Sequence, residues 1–166
     1  MLVGFRSEVL AMMRALNYEV VPLRSVPCDE STILPEQRDR VVLVVDDEQV
    51  IADTLSKILS MSGYKVLTAY NGRSALELVR AVSPALLITD VVMPGMTGIE
   101  LAIMLTKAVP DCKVLLFSGQ AATADLLAAA RDMGYDFNIL MKPIHPTDML
   151  KRVRESLEVQ EMVATS

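Results

Sequence analysis

The chain has 166 residues, 52% of them hydrophobic and 22% charged, which is enough for one ordinary domain plus an extension and excludes wholesale disorder. Aromatic residues make up only 4% and Trp is absent, so the core must be aliphatic. The formal net charge of −5 argues against the basic surface that direct nucleic-acid binding needs.

In residues 2–16, Leu2, Phe5, Val9, Met12, Met13 and Leu16 recur at helical spacing, as in a short amphipathic helix. Arg6, Glu8 and Arg14 make the same stretch too charged for a secretory signal. Pro22, Pro27 and Pro35 then read as a linker. Two accounts of residues 1–40 stand: a loosely held, partly disordered extension, or a docking or dimerising helix. From Val41 the pattern becomes regular. Val41 to Val45 is a β-branched run suited to a strand buried on both faces. Val50, Ile51, Leu55, Ile58, Leu59 and Met61 predict a helix stopped by Ser62-Gly63. Lys65 to Thr68 predicts the second strand, and Asn71-Gly72 turns into a helix carrying Ala75, Leu76, Leu78 and Val79. After Pro84, residues 85–89 predict the third strand and 97–109 a helix that stops at Pro110. Residues 113–117 predict the fourth strand, 121–133 a helix ended by Gly134, 137–141 the fifth strand, and 146 to about 160 a last helix. Alternating apolar strands and amphipathic helices imply a doubly wound α/β domain with a five-stranded parallel sheet at 41–160, behind an extension at 1–40 and ahead of a tail at 161–166.

Open parallel sheets bind ligands beyond the carboxyl ends of their strands. There the chain carries Asp46, Asp47 and Glu48 after strand one, Asp90 after strand three, Ser118 and Gly119 after strand four, and Lys142 and Pro143 after strand five. A single such Asp is ordinarily a helix cap or a solvated turn. That account does not explain why these residues fall at the same ends of four strands. Closely packed carboxylates repel and need a cation, and one ammonium cannot balance three of them. Hard oxygen donors favour Mg2+ over a transition metal. A carboxylate nucleophile beside Mg2+ and Lys suits phosphoryl transfer.

At these residues the sequence resembles the receiver domain of bacterial two-component response regulators. The matching motifs are Val-Val-Asp-Asp-Glu (44–48), Asp-Val-Val-Met-Pro-Gly-Met-Thr-Gly (90–98), Phe-Ser-Gly (117–119) and Met-Lys-Pro (141–143). The resemblance implies a flavodoxin-like fold of strand order 2-1-3-4-5. It implies that Asp90 is the phosphoacceptor, charged by a histidine kinase or phosphotransfer protein, with Asp46, Asp47, Asp90 and the backbone carbonyl of Val92 holding Mg2+. Ser118 and Lys142 would contact phosphoryl oxygens, and Lys142-Pro143 would be a cis peptide. Phosphorylation would then remodel the face of helix four, strand five and helix five, with Thr123, Asp125, Arg131, Lys151, Arg152 and Glu155 as candidate exposed residues. The chain would be a stand-alone switch read by a downstream protein, catalysing only its own phosphorylation and dephosphorylation. A second copy of the chain is an alternative partner.

Ile139 departs from the family pattern, which has Tyr or Phe three residues before the strand-five lysine. Gly134 lies one residue further from Lys142 than is usual, so Tyr135 or Phe137 is the nearest aromatic alternative. Gln120, next to the site, is a candidate for tuning the lifetime of the phosphoryl group. His145 between Pro143 and Pro146 reads as a loop residue, the methionines as core filling, and Met93 and Met96 as a screen beside Asp90. Cys28 and Cys112 form no Cys-x-x-Cys pair, and no apolar run reaches the ~18 residues of a membrane span, so a cytoplasmic protein is expected. Two further readings compete. A haloacid-dehalogenase-like phosphatase needs Asp-x-Asp after strand one, whereas Asp46 and Asp47 are adjacent. A receiver-like module that never carries phosphate does not account for the set Asp47, Asp90, Ser118 and Lys142.

Overall fold

The computed structural model of the chain describes residues 40–119 and 123–164, with side chains as far as Glu158. The amphipathic stretch at 2–16, the linker prolines, Cys28 and Gln120 lie outside the described residues. Five strands, β1 (Val41–Val45), β2 (Lys65–Ala69), β3 (Leu86–Asp90), β4 (Lys113–Ser118) and β5 (Asn138–Met141), alternate with five helices. The helices are α1 (Gln49–Met61), α2 (Gly72–Ala81), α3 (Gly98–Ala108), α4 (Thr123–Asp132) and α5 (Pro146–Ala164).

The strands are parallel and ordered β2-β1-β3-β4-β5, as the resemblance implies. Successive side chains on a strand point to opposite faces, so the apolar runs supply both layers of the core. Val42, Val44, Leu86, Ile88, Leu115 and Phe117 pack with Leu55 and Leu59 of α1 and Met149, Val153 and Leu157 of α5. Leu43, Val45, Leu87 and Leu116 meet Ala75 of α2, Leu101, Ala102 and Leu105 of α3, and Leu127 and Ala130 of α4. Arg40, just before β1, donates to the Leu157 carbonyl at 2.6 Å and ties the strand's start to α5.

Local signals set the boundaries. Gly63 and Gly134 take φ of 94° and 88° where the chain leaves α1 and α4, a backbone region in which other residues are strained. Asn71 caps α2 by accepting from the Ser74 N–H at 2.8 Å. Thr97 and Glu100 form a reciprocal capping box at the start of α3. At the far end, α5 runs to Ala164, beyond the expected end near residue 160 and into the expected tail. Glu161, Met162 and Ala164 are good helix formers, and no Gly or Pro interrupts the chain after Pro146. Among the described residues, no helix is long and apolar enough to cross a membrane.

Candidate functional site

Because all five strands point the same way, the residues that end them share one edge. The chain leaves β1 towards β2 on one side and returns to β3 on the other, so a crevice opens between the ends of β1 and β3. The register pairs Val45 with Thr89, which sets Asp46 beside Asp90. Carboxylate oxygens of Asp46, Asp47 and Asp90 all lie within 4.8 Å of one another. Asp46 is only 1% exposed, Asp90 is half-buried, and Asp47 opens the cluster to solvent. Lys142, just past β5, reaches across with Nζ 3.1 Å from Asp46 Oδ2 and 3.3 Å from Asp90 Oδ1. The Lys142-Pro143 peptide is cis, and the Lys142 N–H donates to the Ser118 carbonyl at 2.7 Å.

The electrostatics of this cluster are unbalanced. Burial raises the pKa of both Asp46 and Asp90, and the attraction of Lys142 does not fully offset it. Backbone N–H groups help: Glu48 donates to Asp46 Oδ1 and Val91 to Asp90 Oδ1, each at 3.0 Å. Burial disfavours the Lys142 ammonium, but the two carboxylates outweigh it and raise its pKa, so it stays charged. One ammonium shared between crowded carboxylates leaves a deficit of positive charge. A small hard cation fits that deficit and an all-oxygen donor set.

Backbone contacts hold the loop after β3. The Val91 N–H also donates to the Phe117 carbonyl at 3.0 Å, and Gly98 N–H donates to the Val91 carbonyl at 2.9 Å. Thr89, fully buried, donates its hydroxyl to the Asp90 carbonyl at 3.1 Å. A Cβ on Gly98 would lie 1.9 Å from that same carbonyl oxygen, so any other residue here would push the Asp90 backbone aside. Gly98 stood in the sequence motif, but its steric reason needed the fold. Val92, two residues beyond Asp90, is exposed in the same loop.

Several expectations need correction. Thr123 is 4% exposed rather than on the surface, because its hydroxyl turns inward to hydrogen-bond the Ser118 hydroxyl, itself 1% exposed. Asp125, Arg131, Lys151 and Arg152 are exposed as expected, and Glu155 is half-buried. The methionines are not uniformly core: Met61, Met104, Met133 and Met141 are exposed, while Met93 and Met149 are buried. Met133 lies in the turn after α4 and Met141 ends the edge strand β5. Met93 is a core residue and Met96 is half-buried against the same layer. Ile139 also packs on that layer, next to Tyr135 and Phe137, whose rings stack at 5.9 Å. His145 is a loop residue, and its Nδ1 accepts from the Thr147 N–H at 3.3 Å at the start of α5. Cys112 is buried in the turn before β4, and burial pushes its thiol up to about 12.

Residues 42–154 match the response regulator receiver domain family. The response regulator receiver protein CpdR of Brucella abortus (strain 2308) is 37% identical over 116 residues, covering 70% of this chain and 95% of that protein. The response regulator MprA of Mycolicibacterium vanbaalenii is 33% identical over 116 residues, and there the chain spans about half (49%) of the relative's length. A solved CheY-like receiver domain from Methanospirillum hungatei JF-1 superposes with a TM-score of 0.67 at 30% identity, covering 74% of this chain and 97% of that one.

Proposed function

The chain belongs to the response regulator receiver domain family, and from this we propose that Asp90 accepts a phosphoryl group from a histidine kinase or phosphotransfer protein in a Mg2+-dependent reaction. The observation that carries the reading is the convergence of Asp46, Asp47, Asp90 and Lys142 at the switch point of the sheet. A carboxylate oxygen of Asp90 forms the new bond to phosphorus while the bond from phosphorus to the donor nitrogen breaks. The Val91 N–H and Lys142 both hold Asp90 Oδ1, which fixes the orientation of the carboxylate before attack. Lys142 pairs with a phosphoryl oxygen, and the Ser118 hydroxyl donates to another. Asp46, Asp47, Asp90 and the Val92 carbonyl would hold Mg2+, which neutralises charge on the transferring group when bound.

The adduct adds negative charge and new acceptors beside Lys142 and Ser118. The change is read at the face built by α4, β5 and α5. Leu126, Met133 and Met141 are exposed apolar residues of these elements and the turn between them. A groove nearby is lined by Ile139, Met141, Asp148, Lys151, Arg152 and Glu155. Such a mixture of apolar and charged groups suits a protein partner, as does the net charge of −5. In this reading the protein is a cytoplasmic switch that turns over no metabolite.

Intact mass after incubation with acetyl phosphate tests the reading. One phosphoryl adduct is expected with Mg2+, and none without Mg2+ or in Asp90→Asn. Absence of an adduct on the wild-type chain in the presence of Mg2+ would overturn it.

A further inference from the structure

We propose that Thr123 is a positioning residue that couples Ser118 directly to helix α4 when the Ser118 hydroxyl turns to a phosphoryl oxygen. The inference rests on the phosphoacceptor reading above and adds the route by which the site reaches the rest of the molecule. Ser118 is the last residue of β4 and Thr123 the first of α4, and the two hydroxyls are hydrogen-bonded to each other. Both residues are almost wholly buried, at 1% and 4% exposure, so water does not readily replace the bond between them.

The chemistry of a hydroxyl gives this pair a direction. Each hydroxyl has one proton to donate and lone pairs to accept. In the pair, either oxygen can be the donor. Phosphoryl oxygens only accept. Once Ser118 gives its proton to a phosphoryl oxygen, its bond to Thr123 persists only with Thr123 as donor. The phosphoryl group therefore fixes the polarity of a pair that is otherwise reversible, and a move of Ser118 towards Asp90 draws Thr123 with it. Thr123 is part of the helix backbone, so the start of α4 follows. Leu127 and Ala130, on the same helix, are buried in the core layer, while Leu126, at the margin of that buried face, is exposed. A small shift at Thr123 is thereby converted into a change in how α4 presents its outer face.

The test uses the full chain with Mg2+ and acetyl phosphate. It compares wild type, Thr123→Val, Thr123→Ser and Thr123→Ala by intact mass and by amide hydrogen exchange in residues 123–132. Valine keeps the shape of threonine without the hydroxyl, serine keeps the hydroxyl, and alanine removes it without adding bulk should valine fail to fold. All chains are expected to take up one phosphoryl group. Phosphorylation is expected to change exchange in α4 of wild type and Thr123→Ser. The change should shrink by about fivefold in the two variants without a hydroxyl, the size of effect that one hydrogen bond supports. A purely structural role would alter exchange before phosphorylation and leave the phosphorylation-dependent difference intact. An undiminished difference in Thr123→Val or Thr123→Ala would overturn the proposal, as would failure of Thr123→Ser to restore it. Absence of an adduct on wild type would instead overturn the phosphoacceptor reading on which the proposal rests.

Discussion

Gly98 and Gly72 both begin helices, yet the space around them differs in kind. A Cβ at Gly98 would meet the Asp90 carbonyl oxygen at 1.9 Å, and backbone cannot step aside without moving the carboxylate it carries. A Cβ at Gly72 would meet the side chain of Met96, with Sδ at 2.6 Å free to rotate away and Cβ and Cγ at 3.1 Å needing to give by a few tenths of an ångström. Gly98→Ala is therefore expected to cost about 1–3 kcal/mol in chemical unfolding and to slow phosphoryl uptake, because it displaces Asp90 itself. Gly72→Ala is expected to cost less than about 1 kcal/mol, since alanine's better helix propensity offsets the repacking, and to leave uptake unchanged. Equal effects of the two substitutions on uptake would show that the loop after β3 tolerates displacement of Asp90.

Among the elements, α3 starts with a full capping box, and its contribution depends on pH. Thr97 N–H donates to Glu100 Oε2 at 2.8 Å, and the Glu100 N–H donates back to the Thr97 hydroxyl at 3.2 Å. The Thr97 N–H and the Thr97 hydroxyl, which donates to the same Oε2 at 3.0 Å, hold the Glu100 carboxyl below its ordinary 4.5. A depressed folded-state pKa stabilises fully above the unfolded value, and that stabilisation is lost as pH falls through the folded pKa. Thr97→Ala is expected to cost about 1 kcal/mol at pH 7. Glu100→Gln should flatten the acid side of the stability curve below about pH 4.5, as read by urea unfolding across pH. An acid limb identical to wild type would mean that the box contributes nothing. Elements of this kind were legible in advance because their signals are local. The Val-rich runs give strands, Asn71 and Thr97 give helix starts, and Gly63 and Gly134 give stops. The acidic and basic site residues were legible for a related reason, since parallel strands bring their carboxyl ends to one edge whatever the details. Thr123 was not legible, because a polar residue at a helix start is ordinarily solvated and only the fold brings its hydroxyl against that of Ser118. Nor were Met133 and Met141, since hydropathy says that methionine is inside and only the fold puts one in a turn and the other at the end of the edge strand β5.

At the level of the whole molecule, the acidic cluster links folding to ion binding. Folding gathers three carboxylates into one crevice and buries two of them at least in part, and their raised or unrelieved charge costs stability at neutral pH. A ligand that binds only the folded chain returns stability by mass action, about 2.7 kcal/mol at a hundredfold excess over Kd. For a domain of this size that corresponds to a rise of roughly 5–10 °C in Tm. Thermal unfolding with MgCl2, against NaCl of matched ionic strength, should show this rise in wild type. Asp47→Asn should remove most of it while leaving the ion-free Tm nearly unchanged, because Asp47 is exposed. Asp90→Asn should also remove it but raise the ion-free Tm, because one member of the crowded set no longer carries charge. The opposite signs separate ion binding from general screening, since salt would raise the Tm of all three chains alike. A Mg2+-induced rise that survived in Asp47→Asn would place the ion elsewhere in the molecule.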